Sequence, residues 1–136
     1  MTEIASVVLF SAAADRTARF YEALGVRLDH ETHDQGPTHF AAELGGVHFA
    51  IYASEGSLSS PAHHAPGEVF VGLYVDSLDD AFARLEEASA PIVGGHERMP
   101  WGCRFLCEDP DGRTVEVNDR SHSGCSEEIV PRGQAS

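Results

Sequence analysis

At 136 residues, with 42% hydrophobic and 23% charged positions, the chain is long enough for one globular domain with a buried core and too short for several. Its 22 Asp and Glu stand against nine bases, every one an Arg, and the net charge of −13 works against a nucleic-acid partner while drawing cations to the surface. No apolar run approaches the roughly 20 residues of a membrane span, and "MTEIASVVLF" has an acid where a secretory leader has bases, so a cytoplasmic protein with no membrane contact is expected.

The period of the hydrophobic pattern changes along the chain. "ASVVLFS" (5–11) is a short apolar strand. "DRTARFYEALG" (15–25) turns to helical spacing, with Thr17, Phe20 or Tyr21, and Leu24 on one face and Gly25 placed to end the helix. Strands follow at 27–32, 38–44 and 47–53, the last two joined by Gly45-Gly46 as a hairpin. Residues 54–68, rich in Ser, Pro and Gly, form a linker. The programme then restarts with a strand at 69–75 and a helix at 77–89, which has Ser77 and Asp80 as a capping box and Leu78, Phe82, Leu85 and Ala88 on one side. Strands at 91–98, 104–109 and 114–119 complete it.

Two copies of β-α-β-β-β, offset by about 62–64 residues, therefore make an α+β domain over residues 1–119, with module one at 4–53 and module two at 69–119. Neither copy has enough core to stand alone, so the two are expected to pair and to leave a cleft between or beneath curved sheets. The tail, 120–136, has no periodicity and is expected to be mobile.

Between the last two strands, Asp109-Pro110-Asp111-Gly112 has the chemistry of a tight turn: Pro presets φ, Asp bonds back to the backbone, and Gly tolerates positive φ. In "TVEVND", Val115 and Val117 share one face and Thr114, Glu116 and Asn118 the other. With the valines in the core, Glu116 is a lone carboxylate on the inner face of the sheet, suited to hold a metal, act as a base, pair with a bound cation or simply meet solvent. The three cysteines, Cys103, Cys107 and Cys125, show no CxxC spacing, so reduced thiols are expected rather than a disulfide framework or a zinc knuckle.

The two modules, with "ARFYEALG" in the first helix, "VDSLDDAFARL" in the second and "WGCRFLCEDPDGRTVEV" at the end, resemble the glyoxalase/bleomycin-resistance/dioxygenase superfamily, the vicinal oxygen chelate fold. The resemblance covers residues 4–119 and is specific for the superfamily, which includes both metal enzymes and metal-free drug-binding proteins. It implies metal ligands at four places: early in the first strand, in the fourth, early in the fifth and in the eighth. Those positions fall on Ser6, Phe49, Phe70 and Glu116, and only the last keeps an acid. One carboxylate and one hydroxyl among two phenyl rings lack the three or more N, O or S donors that Zn²⁺, Ni²⁺ or Fe²⁺ require. No metal, no cofactor and no catalytic residue is therefore expected. Strand alternation turns His48 to the opposite face from Phe49.

By strand parity the inner face carries Ser6, Val8 and Phe10, then Val47, Phe49 and Ile51, then Phe70, Gly72 and Tyr74, then Thr114, Glu116 and Asn118. Trp101, in the loop "MPWGC", is placed at the mouth, and Gly72 leaves room for a ligand. The candidate ligand-binding set is thus Ser6, Phe10, Phe49, Ile51, Phe70, Tyr74, Trp101 and Glu116. Aromatic walls beside an acid suit a flat molecule bearing positive charge. The resemblance to the bleomycin-resistance branch implies a homodimer that sequesters a bleomycin-like antibiotic in clefts shared between subunits, for resistance or self-protection. The alternatives are a glyoxalase- or dioxygenase-type enzyme with a non-standard metal site, and an accessory dimer whose cleft is vestigial.

Overall fold

The computed structural model describes residues 1, 3–31, 39–54, 69–122 and 125. Its elements follow the expected order: β1 (Ser6–Ser11), α1 (Ala14–Ala23), β2 (Asp29–Glu31), β3 (His39–Leu44), β4 (Val47–Ala53), β5 (Val71–Tyr74), α2 (Leu78–Glu87), β6 (Ile92–Met99), β7 (Gly102–Glu108) and β8 (Thr114–Asp119). Residues 55–68 of the proposed linker lie outside the described residues, as do His33, His63 and His64. Among the described residues no helix is long and apolar enough to cross a membrane.

Each module forms a four-stranded mixed sheet with one parallel pair, in the orders β1-β4-β3-β2 and β5-β8-β7-β6. The parallel pair arises because a helix, α1 or α2, intervenes between the first strand of the module and the rest. α1 lies on β1 and β4, α2 on β7 and β8, and the helices touch each other. One core runs through both modules, with Leu9, Tyr21, Phe49 and Ile51 from the first and Leu85, Phe105, Val115 and Val117 from the second. Thr17, Phe20, Tyr21 and Leu24 are buried as the helical spacing requires. In α2, Leu78, Ala81 and Leu85 are the buried residues and Ala88 falls outside the helix as its C-cap.

The helix ends follow from local chemistry. Ser77 caps α2 by accepting from the Asp80 amide at 3.2 Å, whereas α1 starts at Ala13 with no side-chain cap. Both helices close with the same pair of backbone bonds: Gly25 N–H to Glu22 O and Val26 N–H to Tyr21 O in α1, Ser89 N–H to Glu86 O and Ala90 N–H to Leu85 O in α2. The residue at the turn is left-handed in each case, Gly25 at φ 96° and Ser89 at φ 56°. Glycine takes that conformation freely, while Ser89 carries a penalty of about 1 kcal/mol.

The modules are joined by the turn between β7 and β8. The side chain of Asp109 is fully buried. It accepts from Tyr21 Oη at 2.8 Å, from the Asp111 and Arg113 amides at 3.0 and 3.1 Å, and from the Arg113 guanidinium. Arg113 also donates to Phe10 O at 2.9 Å, and Asp111 accepts from Ala12 N–H and Thr17 Oγ1 at 3.0 Å each. Burial and then Asp109 push the Tyr21 hydroxyl well above its ordinary value, so it stays a donor. Burial alone would lower Arg113, but Asp109 and Tyr21 outweigh it and raise it.

One expectation is corrected. Cys103 and Cys125 form a disulfide, with Cα atoms 5.7 Å apart, and Cys107 is the free cysteine among the described residues. The bond ties Cys125, six residues past the end of β8, to β7, a long-range contact that sequence spacing does not reveal. His122 meets Met99 O at 2.7 Å, and Arg120 lies over the Tyr74 ring, so this start of the tail is held. Burial pushes the Cys107 thiol up to about 12, which keeps it protonated and inert.

Asp109→Ala is expected to lower the unfolding free energy by about 3–5 kcal/mol, because it strands Arg113 and Tyr21, and Tyr21→Phe by about 1.5–3 kcal/mol. Urea unfolding checks both; equal and small losses would show that the clasp does not hold the modules. For the disulfide, whose cysteines are 22 positions apart, Cys125→Ser is expected to cost roughly 3 kcal/mol. Reductant should bring the parent protein to the same stability; a parent unaffected by reductant would show that the bond is absent in solution.

Candidate functional site

The face of each sheet opposite the shared core is partly open: Val8, Phe10 and Tyr74 are exposed there, while Ala41, Ala50, His39, Leu106 and Asn118 are buried. In sheet one the core side is set by Val7 opposite Phe49 and Leu9 opposite Ile51, so their neighbours Ser6, Val8 and Phe10 face outward with His48, Ala50 and Tyr52. Three rows result. Ser6 lies beside His48, whose Nδ1 is 2.8 Å from Glu43 Oε1. Val8 lies beside Ala50 and Ala41. Phe10 lies beside Tyr52, with ring centroids 6.3 Å apart, and Tyr52 stacks at 4.3 Å on His39, whose Nε2 is 3.3 Å from Glu31.

In sheet two, Val71 and Leu73 pair with Val115 and Val117 on the core side, so Gly72 and Tyr74 face outward beside Glu116 and Asn118. Arg104 and Leu106 of β7 continue those rows. Glu116 is not a lone acid. Its Oε2 accepts from Arg104 at 2.6 Å and its Oε1 from Asn118 Nδ2 at 2.9 Å. Arg104 also donates to Glu97 at 3.1 Å, and all three charged groups are mostly buried. Trp101 Nε1 donates to Asn118 Oδ1 at 2.8 Å. Gly102 makes this placement possible: at φ 150°, with Asp119 O 1.9 Å from where a Cβ would sit, no other residue fits after Trp101.

The expected site residues divide. Ser6, Phe10, Tyr74 and Glu116 lie on the open faces, Phe70 just before β5 is 46% exposed, and Trp101 borders the Asn118 row. Phe49 and Ile51 do not; they are buried in the core, Phe49 with its ring 5.2 Å from that of Tyr21. Three consecutive buried residues, Phe49, Ala50 and Ile51, hide the alternation in β4, and the two large apolar ones go to the helix side. His48 therefore faces the same side as Ser6, contrary to expectation, and Tyr52 and His39 join the face unanticipated. The Gly45-Gly46 hairpin, which fixes His39 opposite Tyr52, is the signal that pairs them. Gly72 does not leave a vacancy: a Cβ there would stand 3.3 Å from Glu116 Oε1.

As a site for the divalent cation used by part of the superfamily, these residues do not fit. Ser6 and Phe70 offer one hydroxyl and a ring, and both oxygens of Glu116 already accept from Arg104 and Asn118. Among the described residues no three His, Cys, Asp or Glu side chains converge on one ion position. Arg104→Met is expected to cost about 3 kcal/mol, since it leaves two mostly buried carboxylates uncompensated, and adding Glu97→Gln and Glu116→Gln should restore about half. Denaturant midpoints of the three proteins decide this; no recovery in the triple variant would mean the charges are solvated.

The superfamily profile described as Glyoxalase/Bleomycin resistance protein/Dioxygenase matches residues 3–117. An uncharacterised protein of Mycolicibacterium smegmatis is 33% identical over 102 residues, which cover 71% of this chain and 79% of that protein. Among solved structures, a glyoxylase/bleomycin resistance protein/dioxygenase domain from Frankia sp. EAN1pec superposes with a TM-score of 0.71 at 21% identity, covering 91% of this chain and 95% of the other. A lactoylglutathione lyase from Agrobacterium tumefaciens gives a TM-score of 0.58 at 22% identity, over 88% and 94%. At these identities the structural likenesses show a shared fold, while the profile match spans nearly every element of both modules. The chain belongs to the glyoxalase/bleomycin-resistance/dioxygenase superfamily.

Proposed function

We propose that the protein binds a small, cationic, aromatic molecule of the bleomycin-like antibiotic kind without a metal ion, and that it protects by sequestration. The contact between Arg120 and Tyr74 carries this reading: a planar cation already sits 3.7 Å from the centroid of an open-face ring, the geometry a ligand cation would use. Phe10, Phe70 and Tyr74 are 60%, 46% and 49% exposed, an apolar area that a flat ligand would cover. Trp101 and Ser6 border it. Glu31, Glu43 and Glu97 supply negative charge around the rings, and Glu116 contributes through its pairing with Arg104.

The protein acts as a homodimer in this reading. β1 and β5 are both sheet edges, and Val8, Phe10, Phe70 and Tyr74 are exposed beside them, so a second copy would close two half-sites into one cleft. One observation favours the other reading, an enzyme of glyoxalase or dioxygenase type with a non-standard metal site: His48, oriented by Glu43, stands beside Ser6.

Titration of the purified protein with bleomycin is expected to quench Trp101 fluorescence to saturation at about one ligand per chain. Phe10→Ala and Tyr74→Ala should each weaken binding by about tenfold, or ~1.4 kcal/mol. Elemental analysis before and after dialysis against a chelator runs alongside, with sedimentation to give the oligomeric state. About one equivalent of retained transition metal, or no fluorescence response to cationic aromatic compounds, would sink the proposal.

A further inference from the structure

We propose that the groove between α1 and the turn following α2 is a second binding site, for a small molecule carrying a carboxylate or phosphate on an apolar body. The groove is a cavity of about 290 Å³, near the lower end of ordinary ligand sites. Phe20, Pro91 and Pro110 give it an apolar floor, and Arg16 and Arg19 rise from one face of α1 a single turn apart. Neither guanidinium has a salt-bridge partner among the described residues, although acids outnumber bases in the chain by 22 to nine. Glu108 also lines the groove, and the three charged groups there sum to +1. The last carbonyls of α2 do not oppose an anion there, because Arg84 O, Leu85 O and Glu86 O already accept from Ala88, Ala90 and Ser89.

The duplication of the chain supplies an internal control. The helices start at Ala14 and Leu78, 64 positions apart. At that offset Arg16 corresponds to Asp80, Phe20 to Arg84 and Gly25 to Ser89. Asp80, Arg84 and Gly25 line the equivalent groove of about 310 Å³, between α2 and the turn following α1. The same architecture has thus been built twice, once with Asp76, Asp80, Arg84 and a glycine turn, for a net charge of −1, and once with Arg16, Arg19, Glu108 and a serine turn, for a net charge of +1. Ser89 is the second sign. It is the non-glycine residue with positive φ among the described residues, it occupies the position where module one uses Gly25, and it lines the arginine groove. A hydroxyl kept at an unfavourable backbone position next to two guanidiniums is what an anionic group needs as a third donor.

The probe is phenyl phosphate, titrated into the full chain and followed by amide shifts at residues 88–91 and by calorimetry. Saturable millimolar binding is expected, declining with salt as exposed charge pairs are screened. Arg16→Gln with Arg19→Gln, both exposed positions, should weaken it by about tenfold. Ser89→Gly should weaken it several-fold while raising the melting temperature. Asp80→Arg, in the equivalent groove, should leave the shifts at residues 88–91 unchanged. Inorganic phosphate, which lacks the ring, should bind about tenfold more weakly than phenyl phosphate, and equal affinity would overturn the apolar half of the proposal. No response at residues 88–91 up to about 10 mM, or full affinity in the double Arg variant, would overturn the whole. Bleomycin quenching of Trp101 is unaffected by these variants, so failure here and failure of the open-face site are read separately.

Discussion

The fold turns on one buried carboxylate. Asp109 belongs to the β7–β8 turn of module two, yet two of its four donors come from side chains, one of them the Tyr21 hydroxyl on α1 of module one. A fully buried acid is costly unless every lone pair is met, and here the turn amides, Tyr21 and Arg113 meet them together. The same five-residue loop sends Asp111 to Ala12 and Thr17, and Arg113 to Phe10 O. The clasp therefore fixes the end of β1 and the start of α1 against β8.

That arrangement explains why the apolar outward residues cluster at β1 and β5. Each is an edge strand in parallel pairing, and the exposed apolar side chains there are Val8 and Phe10 on β1, and Tyr74 on β5 with Phe70 just before it. In the single chain these side chains meet water. The polar residues of the faces are prearranged. Glu31 sets His39, which stacks on Tyr52 and so backs Phe10, while Asn118 links Trp101 to Glu116. Such fixed rings lose little conformational entropy on binding a flat partner.

Much of this was legible in the sequence, for physical reasons that differ between elements. The helices announced themselves through Phe20, Tyr21 and Leu24, and through Leu78 and Leu85, whose spacing has one structural solution. β8 was legible because its valines alternate with polar residues, and Glu116 was placed on the right face for that reason. β4 was misread because Phe49, Ala50 and Ile51 are all buried, so period two carries no sign of which face is which. The disulfide escaped because Cys125 lies in a stretch without periodicity. The DPDG turn was legible as a turn, but its role as a clasp depends on Tyr21, which no local pattern connects to it.

The pairing of Arg104 with Glu116 bears most directly on what the open face can do. In a site built around a divalent ion, a carboxylate at this place would be drawn to the metal. Here a guanidinium 2.6 Å away supplies the positive charge from within the chain. The charge at this point is therefore permanent, planar and tied at its other edge to Glu97. It cannot be exchanged, removed by a chelator or opened to a substrate oxygen. With its own acids satisfied this way, the outward face of sheet two carries a hydrogen-bonded network running from Trp101 through Asn118 and Glu116 to Arg104. On sheet one Glu31 and Glu43 are likewise met, by His39 and His48. The acids on the outward faces of both sheets thus each have a His or Arg nitrogen of their own sheet within 3.3 Å.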